Sequence, residues 1–126
     1  MQLILRGSLP FVTVTVTHGT ASQQVANMLV DTGSASTVFA ADLMAMLSVV
    51  PAPGDRLRTL RGIGGRELVF TRRLDRIEVD GHVLAGFEVE IGGMNYGFAI
   101  NGILGMDFLR ATGAIVNLSD LTLSWA

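Results

Sequence analysis

Apolar and polar residues alternate with a period of two in the clearest stretches of this chain, and this period restricts it to folds built mainly from β-strands. Residues 11–17 alternate apolar side chains with threonines, and nearly all of them are β-branched. The dipeptide Asp80-Gly81 is a strong signal for a two-residue hairpin turn. After this turn, residues 83–91 carry apolar side chains at odd positions and glutamates such as Glu90 at even ones. The sequence therefore predicts a hairpin with one apolar face and one glutamate face.

Other segments fit the same mainly β fold. Residues 24–30 form a second strand, whose apolar end indicates burial on both faces. Residues 40–47 are the strongest helix candidate because they are rich in helix formers. Residues 107–112 predict one or two helical turns that end at Gly113. The remaining predicted strands are 36–39, 56–61, 66–71, 114–118 and 121–125, and residues 103–105 are a short apolar stretch closed by glycine.

Length and composition exclude several classes of protein. The 126 residues predict a single domain over residues 1–126. The absence of cysteine excludes disulfides and thiolate chemistry, and His18 and His82 leave little for a metal site, so we expect no metal and no cofactor. A net charge of −2 does not indicate nucleic acid or an anionic membrane as partner. No signal peptide or membrane-spanning run is evident, which predicts a cytoplasmic location.

The basic residues are unevenly placed. All nine are arginines, and seven of them fall between residues 56 and 76, where the acidic residues are Glu67 and Asp75. Charge runs of this kind usually form solvated faces, so we interpret the segment as a hairpin with exposed arginines. The alternative is an unrelated small β-barrel that binds an acidic ligand through Arg58 or Arg61.

Asp31 is the acidic residue without an ordinary structural explanation. It follows the apolar residues 28–30, and a carboxylate at the end of a buried strand costs free energy unless it is hydrogen-bonded or shares a proton. Gly33 has no side chain, so its N–H can approach the carboxylate closely, and Thr32 can hold the loop through its hydroxyl. The alternative is a structural role, since Asp-Thr-Gly is also good turn chemistry.

Three motifs in this order resemble those of a known protease clan. The string L-V-D-T-G-S at 29–34 resembles the active-site signature of aspartic proteases. The string G-I-L-G-M-D-F-L at 102–109 is similar to the second signature of that clan, and G-I-G-G at 62–65 falls where the family has its flap. The order, spacing and length resemble single-lobe, non-viral retropepsin-like proteases, over about residues 9–125.

The resemblance implies a closed antiparallel β-barrel with one or two short helices. It also implies an aspartic endopeptidase in which two carboxylates share one proton across the attacking water. The chain has a single D-T-G, so the second Asp31 must come from another copy in a two-fold homodimer. The implied site comprises catalytic Asp31, Thr32 and Gly33, contacts to a peptide or protein substrate from Ser34, Gly62, Ile63, Gly64 and Gly65, and support from Ile103, Leu104 and Gly105.

The sequence departs from viral members of the family at two positions. Ala35 and Met106 stand where those enzymes often carry a paired aspartate and arginine, and the flap has no tyrosine. Because the aspartate and the arginine of this pair are both absent, neither charge is left without its partner. A catalytically silent, dimeric peptide-binding or regulatory module on the same fold is the alternative function.

The C-terminal strand is the predicted dimer contact. Leu121, Leu123 and Trp125 alternate with polar residues, which gives the strand one apolar face and leaves its edge for pairing with a second copy. Residues 3–5 are expected to join this contact.

Overall fold

The computed structural model describes residues 1–62, 65–94 and 99–126. Within these ranges the chain is mainly β, as predicted, with two short helices. The strands are β1 (Ile4–Arg6), β2 (Leu9–His18), β3 (Ala21–Val30), β4 (Val38–Ala40), β5 (Leu57–Gly62), β6 (Gly65–Val79), β7 (His82–Gly92), β8 (Gly102–Leu104), β9 (Ala114–Asn117) and β10 (Thr122–Trp125), and the helices are α1 (Ala41–Ala45) and α2 (Met106–Thr112).

Six strands form a ring of hydrogen-bonded neighbours in the order β2-β3-β8-β4-β7-β6. The ring arises because β2 pairs with β3 on one side and with the end of β6 on the other. The pairs β3–β8 and β4–β7 are parallel, so the prediction of an antiparallel sheet is wrong at these two places. Turn signals in the sequence predict hairpins, which join antiparallel strands, whereas β8 reaches β3 through a long connection.

The predicted hairpin at residues 80 and 81 is confirmed. Asp80 and Gly81 have φ angles of 49° and 82°, as a two-residue turn between twisted strands requires, and Val79 pairs with His82. Strand β6 is longer than the sequence indicated. It runs unbroken for 15 residues because it pairs with β5 at its start and with β7 along most of its length.

The predicted separation of β7 into an apolar and a glutamate face fails at both ends. Before Gly86 the odd residues Val83 and Ala85 are exposed, whereas the even residue Leu84 is half-buried and packs against the core. The pattern fails again at the end of the strand. Glu88 is exposed, but Glu90 is buried between Val89 and Ile91, which are also buried. Three consecutive buried residues mean that both faces of the strand are covered there. Strand β7 lies between β4 and β6 at this point, so its end is a central strand of the sheet.

Both helices are short. Helix α1 ends earlier than predicted, because the chain turns back at Ser48, where φ is 61°, and the N–H of Val49 bonds to the carbonyl oxygen of Met44. Helix α2 ends as predicted at Gly113, whose φ of 71° is the left-handed conformation that closes many helices. In the described ranges no helix has the length and apolar character needed to cross a membrane.

The C-terminal strand does not offer the free edge that was predicted. Strand β10 pairs with β9 on one side, and on the other its Leu123 N–H donates to the carbonyl oxygen of Met1 at 2.9 Å. The N–H of Leu3 donates to Leu121 O at 2.8 Å. Leu123 is buried in the chain's own core, and the Trp125 ring stacks on the imidazole of His82. The N-terminal residues therefore occupy the edge that was assigned to a second copy.

The arginine-rich hairpin is matched by carboxylates. Most of its described arginine side chains are exposed, as the solvated interpretation predicts. Each described arginine side chain between residues 56 and 76 also lies within ion-pairing distance of an acidic group. The pairs are Arg56–Glu88, Arg58–Glu90, Arg72–Asp55, Arg73–Glu88 and Arg76–Glu78.

The Arg72–Asp55 pair is the most enclosed of these, with side-chain exposures of 22% and 13%. The guanidinium donates from Nε and Nη2 to the two carboxylate oxygens, and Nη2 also donates to Val50 O at 2.8 Å. Ala52 N–H donates to Asp55 Oδ2. The hydrogen bonds from Arg72, followed by the one from Ala52, hold the pKa of Asp55 below its ordinary value. The pair thereby fastens the loop before β5 to β6.

We predict that Asp55→Asn destabilises the protein at neutral pH and much less in acid. A carboxyl whose pKa is lowered by folding contributes stability above its unfolded pKa of about 3.9, and this contribution is lost as pH falls through the folded value. Thermal unfolding of both proteins at pH 7 and at pH 2.5 tests this. The exposed Asp42→Asn is the control and should shift the midpoint little at either pH. An Asp55→Asn effect of equal size at both pH values would contradict the prediction.

Candidate active site

Asp31 lies where two parallel strands end together. Val30 and Leu104 are register partners at the ends of β3 and β8, so Asp31 and Gly105 follow them at the same edge of the sheet. The N–H of Asp31 donates to Leu104 O at 3.1 Å and continues the ladder by one bond. The two strings singled out in the sequence are therefore brought side by side, although they lie about seventy residues apart.

The Asp31 carboxylate is fixed by its own backbone. Gly33 N–H donates to Oδ1 at 2.8 Å, and Ser34 N–H donates to the main-chain oxygen of Asp31 at 3.2 Å. A Cβ at Gly33 would lie 3.1 Å from Oδ1, so a side chain at this position would crowd the carboxylate. Asp31 is half-buried, whereas Thr32 and Gly33 are exposed. The turn therefore presents a carboxylate of fixed orientation at the molecular surface.

The loop after Asp31 packs directly on the start of α2. Met106 N–H donates to Ser34 O at 2.8 Å, and the Ser34 hydroxyl donates to Ser36 O at 2.8 Å. A Cβ at Gly105 would lie 2.6 Å from the carbonyl carbon of Ser36 and 3.0 Å from Ser34 O. The backbone at Gly105 thus contacts the backbone of the loop at Ser34 and Ser36, an approach that only glycine permits.

A second glycine in the same string has a comparable reason. A Cβ at Gly102 would lie 2.5 Å from Sδ of Met28 and would also clash with the carbonyl oxygen of Val38. Its absence lets β8 fit between β3 and β4. Ile103 is half-buried between its register partners on these strands, and Leu104 is fully buried. The G-I-L-G string therefore supports the Asp31 turn by packing β8 against β3, the strand that leads into the turn.

Thr37 and Asp107 join the loop to α2 by side-chain hydrogen bonds. The Thr37 hydroxyl donates to Asp107 Oδ1 at 2.7 Å and accepts from Gly105 N–H at 3.1 Å, while Thr37 N–H donates to Oδ2 at 3.0 Å. Phe108 N–H donates to Oδ1 at 2.7 Å. Asp107 lies at the helix end, as the sequence predicts, but no signal in the sequence indicates its link to Thr37. Among the described residues the Thr32 hydroxyl makes no hydrogen bond, whereas the Thr37 hydroxyl ties the loop to Gly105 and Asp107.

The glycine hairpin is described in part. Gly62 and Gly65 pair at the ends of β5 and β6, whereas Ile63 and Gly64 lie outside the described residues. The root of the hairpin shares a cavity of about 500 Å³ with the loop after Asp31. Residues lining it from the two sides include Leu57, Arg58, Ala35 and Ser36. The root of the hairpin and the loop after Asp31 thus border one cleft, into which an extended chain can fit.

We predict that Thr37→Val lowers the free energy of unfolding by about 1–3 kcal/mol, because it leaves the buried Gly105 N–H without its acceptor and removes one hydrogen bond to Asp107 Oδ1. Urea denaturation at one fixed protein concentration measures the loss. The control is Thr15→Val, a half-buried β2 threonine, which should change the value by less than about 0.5 kcal/mol. Equal stabilities for the two variants would contradict the role assigned to Thr37.

Comparison with known proteins agrees with this geometry. A family model described as aspartyl protease matches residues 12–108, a span that contains the Asp31 turn, the β5–β6 hairpin and the start of α2. No curated protein matches the chain. Since the model covers well over half of the 126 residues, the chain belongs to the aspartyl protease family, of retropepsin-like type.

Proposed function

We propose that this chain is an aspartic endopeptidase that works as a homodimer, with one Asp31 supplied by each copy. The observation that carries this proposal is the Asp31 turn, in which Gly33 N–H fixes a carboxylate oxygen at 2.8 Å at the surface. A carboxylate in fixed orientation can act as an acid or a base without first having to be ordered. A half-buried position also leaves it within reach of a second molecule.

The second carboxylate is assigned to another copy because the chain offers no spare one beside Asp31 in the same loop system. Asp107 is the nearest acidic residue in the second motif, but its oxygens already accept hydrogen bonds from Thr37 and Phe108. The D-T-G string occurs once in the sequence. A two-fold axis between two Asp31 side chains provides the pair without any further residue.

In the proposed reaction the pair holds one proton, because two like charges in contact cannot both ionise easily. The ionised carboxylate takes a proton from water as its oxygen attacks the scissile carbonyl carbon. The protonated carboxyl gives its proton to the carbonyl oxygen, and a diol forms. The C–N bond then breaks as the nitrogen takes a proton from the pair, and one diol hydroxyl returns a proton to it. The pair ends as it began.

The substrate is proposed to lie extended in the cleft between the Asp31 turn and the β5–β6 hairpin. There it would form main-chain hydrogen bonds as an added strand. The tip at Gly62 and Gly65 would close over it and exclude water. The cavity shared by the hairpin root and Ala35 supports this path.

The dimer contact is proposed through the terminal segments, but not through the edge of β10, which the chain's own N-terminus occupies. Exposed apolar side chains remain on the other terminal strands. Ile4 and Leu5 lie on β1, and Ile115 and Leu118 lie on and just after β9. In the described residues, β1 pairs with β2 on one edge and β9 with β10 on one edge, so each has an edge for a partner strand.

We predict that Asp31→Asn abolishes cleavage and leaves the fold intact. The amide oxygen can still accept from Gly33 N–H, but the shared proton is lost, so activity should fall by more than about 100-fold. Digestion of a proteome-derived peptide mixture, read by mass spectrometry, measures activity, and thermal unfolding checks the fold. Asp42→Asn is the control. Cleavage by Asp31→Asn at the wild-type rate would refute the assignment, and peptide binding without cleavage by the wild type would favour the silent binding module.

We predict that inactive protomers poison active ones. At concentrations where the protein is dimeric, a nine-fold excess of Asp31→Asn chains should lower activity per wild-type chain to about one-tenth, since random exchange leaves about one wild-type chain in ten with an intact partner. Substrate is kept in excess over total protein, and an equal excess of serum albumin is the control. Unchanged activity per wild-type chain would mean that a single chain suffices.

A further inference from the structure

Glu90 is a buried acidic side chain with one unsatisfied oxygen. Its side chain is 5% exposed, and its Oε1 forms an ion pair with Arg58, whose Nη1 lies 2.6 Å away. Among the described residues its Oε2 is buried and has no hydrogen-bond partner. A buried carboxylate with a single partner is costly, because the attraction of one cation does not offset the loss of hydration unless further donors complete the set.

Glu90 lines the cavity that the hairpin root shares with the loop after Asp31. Ala35 and Ser36, which follow the Asp31 turn directly, form part of the same wall. Ala35 and Asp107 also line a second cavity of about 500 Å³ beside α2, so the two cavities adjoin at Ala35. A peptide that passes the Asp31 turn and continues along this wall would place one of its side chains beside Glu90.

The charges that line the cavity favour a basic occupant. Three acidic residues, Glu88, Glu90 and Asp107, line it together with two arginines, Arg56 and Arg58. Both arginine side chains are largely exposed, at 80% and 56%, so they can swing into solvent with little loss of packing. Glu90 is held in the strand and cannot do the same. A cation that enters would meet a fixed carboxylate, whereas an anion would meet a fixed carboxylate of its own sign.

We propose that Glu90 is a specificity-determining residue, whose carboxylate selects a lysine or arginine side chain of the substrate. This inference rests on the proposed function, since it assumes a peptide in the cleft. In a two-fold dimer each peptide meets the cavity twice. The basic preference therefore falls at one position on each side of the scissile bond.

Cleavage of a proteome-derived peptide mixture tests the preference, with the residue frequencies around each cleaved bond compared with those of the input. The wild type should enrich Lys and Arg at one position on each side. Glu90→Gln, which keeps the shape, should reduce this enrichment about tenfold, the value of one hydrogen bond between charged groups. The matched control is Glu78→Gln, which lies near the turn of the β6–β7 hairpin and away from the cavity. This variant should retain the enrichment of basic residues.

Arg58→Ala distinguishes a preference for basic substrate residues from a preference for acidic ones. Removing this exposed arginine frees Glu90 from its partner, so the enrichment of basic residues should persist or increase. An enrichment of acidic residues in the wild type that disappears in Arg58→Ala would overturn the inference. So would a basic preference that Glu90→Gln leaves unchanged. Because the Arg58 side chain is exposed, this variant keeps the test decisive even if Glu90→Gln proves unstable.

A binding assay distinguishes failure of this inference from failure of the proposed function. Asp31→Asn and the double variant Asp31→Asn/Glu90→Gln are applied to a peptide array in which each position in turn is fixed as Arg, Leu or Glu. A preference for Arg that depends on Glu90 supports the inference even if the wild type cleaves nothing. Cleavage without any such preference overturns the inference alone. Neither selective binding nor cleavage would overturn both.

Discussion

The hydrogen bonds between Thr37 and Asp107 hold together the two parts of the chain from which the site is built. The loop after Asp31 comes from the first third of the chain, and the G-I-L-G string and α2 come from the last quarter. Strands β3 and β8 bring these two segments to the same edge of the sheet. Contacts of Gly105, Thr37 and Asp107 then hold the segments together at that edge. Gly105 allows the backbones to touch, and the Thr37 hydroxyl and the Asp107 carboxylate satisfy the polar groups that this contact buries. The orientation of Asp31 depends on all three.

Burial of polar side chains is concentrated next to this contact. In the part of the chain that the structure describes, Thr37 and Glu90 are the buried polar or charged residues, and Glu90 N–H donates to Thr37 O at 3.0 Å. Thr37, the residue before β4, therefore lies beside Glu90 of β7, where the parallel β4–β7 pairing begins. A polar group in a core lowers stability unless it is fully paired, and such departures from simple patterning are expected where function requires them. Thr37 has its full set of partners, and Glu90 does not.

Local chemistry in the sequence predicted the local parts of the fold. The turn at Asp80 and Gly81 and the end of α2 at Gly113 follow from backbone conformations that few residues adopt, and the close approach of Gly33 to Asp31 follows from its missing side chain. Contacts between distant segments could not be read in this way. The parallel pairs, the Thr37–Asp107 link and the docking of Met1 on β10 join residues at least 52 positions apart, and alternation along one strand does not specify its neighbours. Glu90 was misplaced for this reason, since the pattern of β7 alone cannot show that β4 covers its end.

The surface position of Asp31 separates stability from activity in this fold. Residues that fix the turn, such as Gly105 and Thr37, are buried in the chain's own core, so their loss is felt by an isolated chain. Asp31 itself contributes little to that core, because the backbone of its own turn satisfies its carboxylate and its neighbours Thr32 and Gly33 face solvent. A chain of this kind can be completely folded and still hold only half of the proposed site. Its activity would then be set by the concentration of a second copy, since folding alone cannot supply the other carboxylate.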